Sequence, residues 1–440
     1  MQLYGEGYRF NKVLLYKEGR KKQFFLVLCK EAGTMLAEQV EIHQVSYKHR
    51  YYKELDHLCF LSKNLYNATL YAVRQHYFKT KEYLSYCQVN KEFTHQDQPD
   101  YRALPAKVSK WVQKLVEQDF KSSFALLKKK QQGKYGKPVR IPKYADKIKG
   151  RKKLHYEKGA LSFVREGYVK LSRTGIEIKT GLAREDIRYV EIVPGFHSFK
   201  IIIGYQKECE AKEDNGRYAS IDLGVNNLAT VTSNVTKPFI INGKPCKSIN
   251  QYANKKTAKL KSLLPEGKYN SDQIKRVYKK RNNKTRDYLH KASTCVVNQL
   301  VSNNINTLIL GYNKKWKQDI AMGKRNNQNF AGVPFCLFKE MLSYKCRLHG
   351  ITLAEQEESY TSKCSFLDQE TVCCHKEYKG ERKYRGLYIS KEGRGINADI
   401  NGSLNIMRKY LEKKAAWNSQ VWLDLVEVCS MPDIQVITCI

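Results

Sequence analysis

The period of the hydrophobic positions changes repeatedly along the chain, and each change predicts a new element. In the first 47 residues apolar positions form short segments that predict strands, at Tyr8–Leu15, Gln23–Leu28 and Met35–Val45. From His49 they recur at three- and four-residue steps as far as Val73, which predicts a helix. A second helix is predicted over Ala106–Leu127, so residues 48–149 form a helical segment.

Strand patterns return after residue 150 and continue to about Gln206. The predicted strands here are Gly159–Phe163, Tyr168–Leu171, Ile176–Ile178 and Phe199–Tyr205. The simplest arrangement is one β domain, residues 1–47 and 150–213, interrupted by the helical segment. The charged stretch Glu208–Arg217 marks the end of this domain.

The second half of the chain opens with strands and then alternates helices with strands. Residues 218–223 alternate polar and apolar side chains, which is the period of a strand. The later predicted elements are strands Thr230–Thr232 and Phe239–Ile241, helices Tyr252–Leu263 and Ser271–Asn303, strand Thr307–Gly311, helix Phe335–Leu348, strand Ile351–Glu355 and helix Asp399–Glu412. This order predicts a mixed α/β sheet of the ribonuclease-H type.

The charge of the chain indicates a polyanionic partner. The 440 residues include 79 Lys and Arg against 43 Asp and Glu, a formal net charge of +36. An excess of this size favours nucleic acid over a small acidic substrate. The 30 tyrosines suit stacking on unpaired bases, although many of them must serve the core or surface.

Other features of the sequence argue against a membrane or a secreted protein. No apolar run approaches the roughly 20 residues that span a bilayer. The first residues lack the basic-then-apolar layout of a signal peptide. The 13 scattered cysteines indicate reduced thiols, so we expect a cytoplasmic protein, associated with the nucleoid if it is bacterial.

Two aspartates stand where a charge needs a counter-ion. Asp222 lies in the apolar strand before Gly224, and Asp399 lies at the start of the last predicted helix. Hard divalent cations prefer carboxylate oxygen, and metal-dependent nucleases bring several carboxylates together. A structural hydrogen bond for Asp222 and a helix cap for Asp399 are the simpler alternatives. Both acids in one strongly basic chain favour a metal-dependent nuclease.

Three motifs, in this order, resemble those of the TnpB family, transposon-encoded RNA-guided DNA nucleases related to the type V CRISPR effectors. They are Asp222-Leu223-Gly224-Val225-Asn226-Asn227-Leu228-Ala229-Thr230, Tyr360-Thr361-Ser362-Lys363-Cys364-Ser365 and Asn397-Ala398-Asp399-Ile400-Asn401-Gly402-Ser403-Leu404-Asn405-Ile406. The resemblance extends over most of the chain, although the first half is similar mainly in layout.

The resemblance implies a multidomain fold of α/β and α+β parts. Residues 1–47 and 150–213 would form a β-barrel-like wedge domain, with residues 48–149 as an inserted helical recognition lobe. Residues 214–363 and 396–440 would form a RuvC-like nuclease domain with a mixed sheet. Residues 364–395 would be an insertion equivalent to a degenerate zinc ribbon that binds the target nucleic acid.

The resemblance also implies an activity and its partners. A guide RNA would select double-stranded target DNA, the protein would read a short flanking motif, and one RuvC-like site would cut with Mg²⁺ or Mn²⁺. A positively charged channel that holds a heteroduplex by its backbone agrees with the composition. We expect a monomer or a weak dimer.

The chain differs from the family at the second catalytic acid. The family has a Glu at the end of the strand equivalent to Thr307–Leu310, and this chain has Gly311. The next strand ends in the acidic sequence Glu355-Gln356-Glu357-Glu358. If the two strands are neighbours, Glu357 or Glu358 can supply the missing carboxylate beside Asp222 and Asp399, and Glu355 is a further candidate. Adjacent strand residues point in opposite directions, so only one of the pair should face the metal. The alternative is an acidic strand end exposed to water.

A second difference concerns the zinc ribbon, which in the family usually has two Cys-x-x-Cys pairs. Here the available groups are Cys364, Cys373, Cys374 and His375. Their spacing does not resemble a structural zinc site, in which each of two turns supplies two ligands, so we expect no zinc. The segment 366–395 is better described as a basic loop.

Several basic residues are candidates for binding nucleic acid. They lie on the helix Ser271–Asn303 and in or beside the basic loop, at Lys279, Lys280, Arg281, Lys284, Arg286, Lys363, Arg382, Lys383 and Arg385. A solvated charged face is the simpler explanation of each run.

Two other functions remain open from the sequence. One is a non-cutting RNA-guided DNA-binding protein that represses transcription, which the retention of both Asp222 and Asp399 disfavours. The other is a guide-independent resolvase or transposase accessory protein, for which the long first half is larger than necessary.

Overall fold

The structure, a computed structural model, describes residues 8–9, 29–30, 34–313, 323–429 and 434–439. The chain divides into two compact units, Glu38–Lys207 and the combination of Met1–Ala37 with Glu208–Ile440. The predicted strand Gln23–Leu28 and most of Tyr8–Leu15 lie outside the described residues. Within them, no helix has the length and apolar character needed to cross a bilayer.

The unit Glu38–Lys207 packs long helices against strands. With the short strands that precede it, its elements are β1 (Tyr8–Arg9), β2 (Cys29–Lys30), β3 (Thr34–Ser46), α1 (Tyr52–Thr80), α2 (Tyr86–His95), α3 (Pro99–Arg102), α4 (Ala106–Gln131), β4 (Leu154–Glu157), β5 (Leu161–Ser162), β6 (Tyr168–Leu171), β7 (Glu177–Lys179), β8 (Ile187–Gly195) and β9 (Ser198–Glu210). Strands β3, β9, β8 and β4 are neighbours in one sheet, and β5, β6 and β7 form another.

One hydrophobic core runs through this unit. It joins Leu65 of α1 and Val112 of α4 to Ile192 of β8 and Ile203 of β9. The predicted helical segment and the predicted β segments therefore share a core. Barrel-like closure and a division into wedge and recognition domains stay predictions.

The other unit contains the strand of Asp222 and all the remaining elements. They are β10 (Tyr218–Leu223), β11 (Asn227–Ser233), β12 (Phe239–Asn242), α5 (Lys244–Ser262), α6 (Asp272–Ser302), β13 (Thr307–Gly311), α7 (Lys324–Gly332), α8 (Phe335–Leu348), β14 (Thr352–Gln356), β15 (Glu381–Tyr384), β16 (Leu387–Ile389), β17 (Gly395–Asn397), α9 (Ala398–Lys413), α10 (Ser419–Cys429) and β18 (Gln435–Ile437).

A mixed six-stranded sheet organises this unit and confirms the predicted α/β class. Its strand order is β14-β13-β10-β11-β12-β18. Strand β11 runs antiparallel to both β10 and β12, whereas β13 is parallel to both β10 and β14, and β18 is parallel to β12. Parallel pairing brings the C-terminal ends of β10, β13 and β14 to one edge of the sheet, where Asp222, Gly311 and the residues after Gln356 lie.

Alternation along the strands divides the core between the two faces of the sheet. Ala219, Ile221 and Leu223 of β10 pack into the core that contains residues of α6 and α8. On the other face, Ile309 of β13 packs with the apolar residues of α9. Asp222 alternates with the first set and so faces α9.

Small polar residues hold α9 on the sheet. The Ser220, Thr232 and Ser403 hydroxyls lie 2.8–3.0 Å from one another and are all buried. Ser403 also donates to the Ser220 carbonyl oxygen at 3.1 Å. Because these hydroxyls satisfy one another, the helix can lie close to the strands without burying an unpaired polar group.

We expect Ser403→Ala to lower the free energy of unfolding by about 1–3 kcal/mol, because it removes one hydrogen-bond partner from each of the buried hydroxyls of Ser220 and Thr232. Urea denaturation measures the change. Ser262→Ala is the matched control, since the exposed Ser262 hydroxyl donates only to the Lys259 carbonyl oxygen of its own helix. Its effect should stay within about 0.5 kcal/mol. Equal losses in the two variants would contradict the role assigned to the hydroxyl cluster.

Candidate metal centre

Asp222 lies against the helix that carries Asp399. A β-carbon added at Gly402 of α9 would stand 3.0 Å from Asp222 Oδ2, so only glycine leaves the carboxylate its present space. Burial raises the pKa of Asp222 well above its ordinary value, and the carboxylates of Glu358 and Asp399 raise it further. Asp222 thus belongs to a cluster of acids, and a structural hydrogen bond does not account for it.

Asp399 lies in the first turn of α9, whose N-cap is Asn397. The Asn397 side chain accepts from the backbone N–H of Asp399 at 3.0 Å, so Asn397 rather than Asp399 caps the helix. The Asp399 carboxylate is held on both oxygens. Asn227 donates to Oδ2 at 2.7 Å, and the Arg382 guanidinium donates to Oδ1 at 3.0 Å.

The strand register places Gly311 beside Asp222, and side chains from other elements fill the position that a side chain at Gly311 would take. Ile221 pairs with Leu310, so Asp222 and Gly311 are the next residues on neighbouring parallel strands. A β-carbon added at Gly311 would stand 2.9 Å from Glu358 Oε2 and 2.4 Å from Ile406 Cδ1. The carboxylate of Glu358 therefore borders the space that a side chain at position 311 would enter.

Glu358 is oriented by Asn313, two residues beyond Gly311. The Asn313 amide donates to Glu358 Oε1 at 3.3 Å, and the Glu358 backbone N–H donates to Asn313 Oδ1 at 3.2 Å. The second oxygen, Oε2, is buried and has no hydrogen-bond partner among the residues that the structure describes. Burial, with a smaller contribution from the neighbouring Glu357 charge, raises the pKa of Glu358 from about 4.5 to about 7.

Glu357 and Glu355 are engaged elsewhere. Lys409 of α9 donates to Glu357 Oε2 at 2.5 Å, and the Ser359 backbone N–H donates to Glu357 Oε1 at 2.8 Å. Desolvation raises the pKa of Glu357, but these bonds outweigh it and hold the pKa below its ordinary value. Glu355 pairs with Lys339 at 2.8 Å. Of the three glutamates, Glu358 alone contributes to the raised pKa of Asp222.

A buried polar face of α9 positions the loop that carries Glu358. Asn405 donates to the carbonyl oxygens of Thr361 and Cys364 at 2.9 and 2.8 Å. Asn401 donates to the same Cys364 oxygen at 2.9 Å and accepts from the backbone N–H of Phe366 at 3.0 Å. The sequence analysis missed these residues, because it used only the apolar stripe of this helix. The sequence feature that could have indicated them is the spacing of Asn401 and Asn405, because residues four apart lie on the same face of a helix.

The acids form a donor set that suits a divalent cation. Asp222, Asp399 and Glu358 offer hard carboxylate oxygens, and Oε2 of Glu358 is the buried oxygen without a partner. As they are placed, no group of three or more His, Cys, Asp or Glu side chains in the described residues is arranged to hold a metal ion. The Arg382 guanidinium opposes the raised pKa of Asp222.

The cysteine cluster of the insertion is built around a carboxylate. Cys364 is buried, whereas Cys373 and Cys374 are exposed. His375 lies 2.7 Å from the Thr371 carbonyl oxygen and 3.4 Å from Cys373 Sγ. The buried Glu370 accepts from the backbone N–H groups of Ser365 and Lys379 at 2.8 and 2.9 Å, and so links two turns of the insertion.

The predicted nucleic-acid residues divide into engaged and exposed groups. Arg281 donates to Asn250 and to the Gly332 carbonyl oxygen, both at 2.6 Å, and so holds α5 and α6 to the end of α7. Arg382 is bonded to Asp399 and to the Arg385 carbonyl oxygen. Lys279 and Arg286 are half-buried. The exposed residues are Lys280, Lys284, Lys363, Lys383 and Arg385.

Two family descriptions match the unit that contains these acids. A family described as probable transposase, OrfB_IS605, matches residues 200–317. A second, described as Cas12f1-like, TNB domain, matches residues 335–406. The first range contains Asp222 and Gly311, and the second contains Glu358, Arg382 and Asp399.

Among the known proteins, a TnpB-like protein (ORF457) of Acidianus two-tailed virus is 24% identical over 225 residues, which are 49% of this chain and 47% of that protein. The match therefore spans about half the length of this relative. The solved structures that resemble the chain include a Cas12f1–sgRNA–target DNA complex, at 14% identity and a TM-score of 0.47 over 80% of this chain and 82% of the other. Another is the mini-RNA-guided endonuclease CRISPR-Cas_phi3, at 10% identity and a TM-score of 0.44 over 84% and 92%. The family matches and the viral relative agree with the resemblance of the three sequence motifs to the TnpB family.

Proposed function

We propose that this chain is a transposon-encoded, RNA-guided DNA endonuclease that depends on Mg²⁺ or Mn²⁺ and cuts beside a short flanking motif through one RuvC-like site. The observation that carries the proposal is the place of Glu358. Its carboxylate borders the space beside Gly311, where the family has its second acid, and it shares an electrostatic environment with Asp222. A protein that no longer cuts DNA would not need a second carboxylate in place of the one missing at Gly311.

Asp222, Asp399 and Glu358 are the residues that would hold the metal. When bound, such an ion lowers the pKa of the attacking water and stabilises the leaving oxygen in phosphodiester hydrolysis. Asp222 and Glu358 are half-buried, and desolvation and repulsion by neighbouring carboxylates raise their pKa values. Such a site favours the arrival of positive charge, because a cation relieves both effects.

The neighbouring polar groups orient these acids. Asn227 fixes one oxygen of Asp399, and Asn313 fixes one oxygen of Glu358. The second oxygen of Asp399 accepts a hydrogen bond from Arg382. The second oxygen of Glu358 has no hydrogen-bond partner among the described residues. Arg382 balances part of the negative charge of Asp399, and the same carboxylate would be one of the groups that hold the metal.

The basic surface supports guide RNA and DNA as partners. Residues 244–302, which include α5 and α6, contain fifteen Lys and Arg against three Asp and Glu. The segment from Ala258 to Gln273 is almost entirely exposed, so its charges are available to a phosphate backbone. Lys280 and Lys284 of α6 are exposed as well, and we propose them as backbone contacts.

The test is cleavage of a target plasmid by the purified protein with its co-expressed RNA in Mg²⁺ or Mn²⁺. We expect cutting by the wild type and a loss of at least about 100-fold in Asp222→Ala, Asp399→Ala and Glu358→Gln, because each removes a group that holds charge in the transition state. DNA binding should be retained in all three variants.

Glu357→Gln is the matched control, since it changes the neighbouring glutamate, which pairs with Lys409 outside the acid cluster. It should cut within a few-fold of the wild type. Binding without cutting by the wild type in any divalent metal would favour the non-cutting repressor. Loss of cutting in Glu357→Gln, with activity kept in Glu358→Gln, would show that Glu357 rather than Glu358 is the glutamate that cleavage requires.

The raised pKa of Glu358 makes the stability of the metal-free protein depend on pH. Because the folded pKa lies near 7 and the ordinary value near 4.5, the native state binds this proton more tightly than the unfolded state does. Protonated Glu358 therefore stabilises the fold fully when the pH is below the ordinary pKa. This stabilisation is lost as the pH rises through the pKa of Glu358 in the folded protein. Asp222 acts in the same direction.

We therefore expect Glu358→Gln to become more stable relative to wild type as the pH rises from about 5 to about 8, because glutamine removes the ionisation. Urea denaturation in EDTA at several pH values measures this difference. A difference that does not change with pH would show that Glu358 is not buried as described.

A further inference from the structure

The turn between β15 and β16 is fastened beside Asp399. The Ala398 backbone N–H, at the start of α9, donates to the Gly386 carbonyl oxygen at 3.3 Å. The Arg382 guanidinium donates both to the Arg385 carbonyl oxygen and to Asp399, the latter at 3.0 Å. These contacts fix the backbone of the turn at the edge of the acid cluster.

An irregular pairing of the two strands accompanies this placement. Glu381 pairs with Ile389 and Tyr384 with Leu387, so β15 has one residue more than β16 between the two pairs. Such a bulge changes the direction of a side chain and bends its strand. The bulge lies at Arg382 and Lys383, and the Arg382 side chain contacts Asp399.

The hairpin exposes one of its two tyrosines and buries the other. Tyr388 of β16 is 1% exposed, and its hydroxyl donates to the Lys363 carbonyl oxygen at 2.8 Å. Tyr384, the last residue of β15, is 74% exposed. Tyr384 is also the residue before Arg385, whose carbonyl oxygen is bonded to the guanidinium that contacts Asp399. A large ring is thus exposed to water on the hairpin whose turn is linked to Asp399 through Arg382.

The charge around Tyr384 suits a nucleic-acid strand. Lys383 and Arg385 flank it in the sequence, and both are exposed. The nearby acid of the strand, Glu381, is paired with Lys383. Exposed cations on either side of an exposed ring form the combination that binds single strands, with phosphates on the cations and a base on the ring.

We propose that Tyr384 is a stacking platform for one unpaired base of the DNA strand that enters the acid cluster. The inference rests on the proposed function, because it takes the occupant of that site to be DNA. An unpaired base is required, since both faces of a base within a duplex are covered by its neighbours. Stacking there would hold a phosphate of the same strand within reach of Asp222, Asp399 and Glu358. Tyr384 is a positioning residue in this scheme and contacts no reacting atom.

Photo-crosslinking tests the contact without cleavage. Single-stranded DNA carrying 5-iodouracil at successive positions is bound to the full chain in EDTA and irradiated, and the joined residue is identified by mass spectrometry. We expect a crosslink to Tyr384 that is absent in Tyr384→Ala and unchanged in Tyr47→Ala, which removes a tyrosine that is 63% exposed in the other unit. Crosslinks that map only to other residues would overturn the proposal.

Cleavage kinetics give a second measurement. Tyr384→Ala should weaken binding of the strand roughly five- to hundred-fold, the range lost with one base-stacking ring, and raise KM more than it lowers kcat. Tyr384→Phe keeps the ring and should restore both the crosslink and the KM. Equal loss in the Ala and Phe variants would mean that the hydroxyl rather than the ring is used, and would contradict stacking.

The two measurements separate this inference from the proposed nuclease. If the wild type crosslinks at Tyr384 but never cuts, the nuclease proposal fails and the stacking site stands. If it cuts but never crosslinks at Tyr384, the stacking site fails and the nuclease proposal stands.

Discussion

The close seating of α9 on the mixed sheet is the contact on which the acid cluster depends. Gly402 lets Asp222 approach the helix, because a β-carbon there would stand 3.0 Å from the carboxylate. The buried hydroxyls of Ser220, Thr232 and Ser403 satisfy one another across the same interface. The same helix carries Asp399 at its start and the amides that hold the Glu358 loop. One helix therefore sets the positions of all three acids.

Bringing three carboxylates together is unfavourable, and the surrounding structure offsets the cost. Desolvation raises the pKa values of both Asp222 and Glu358, with further contributions from Glu358 and Asp399 at Asp222 and from Glu357 at Glu358, which means that the metal-free fold shifts them toward their protonated forms. Arg382 supplies one positive charge at Asp399, and Asn227 and Asn313 supply neutral donors. The side chains of Asp399 and Glu358 are thus each held by a neighbouring amide donor.

Much of this arrangement could be predicted from the chain. The strand patterns predicted β13 and β14, and a replacement carboxylate required that they be neighbours. The structure meets this condition, because the two strands pair in parallel with Gln356 opposite Gly311. The choice between Glu357 and Glu358 could not be made, because it depends on the contacts of each side chain. Lys409 lies three helical turns beyond Asp399, and nothing in the sequence indicates that it would engage Glu357. Whether Glu358 ligates a metal stays a prediction.

The polar contacts of the insertion were beyond sequence reasoning for a similar reason. Helix α10, the hairpin β15–β16 and the role of Arg382 at Asp399 were not predicted. Short strands in a basic, polar segment show no clear hydrophobic period. The sequence also does not indicate which acid a given basic residue will contact. That Arg382 binds nucleic acid stays a prediction, and in this structure its guanidinium pairs with Asp399.

The most direct measurement is a crystal structure of the chain grown with Mn²⁺, with the ion located by its anomalous scattering. We expect one or more manganese ions bound by Asp222, Asp399 and Glu358, with Glu357 still paired to Lys409. Manganese bound without Glu358, or no manganese at these acids while the fold is intact, would contradict the assignment of Glu358 as the replacement for the acid missing at Gly311.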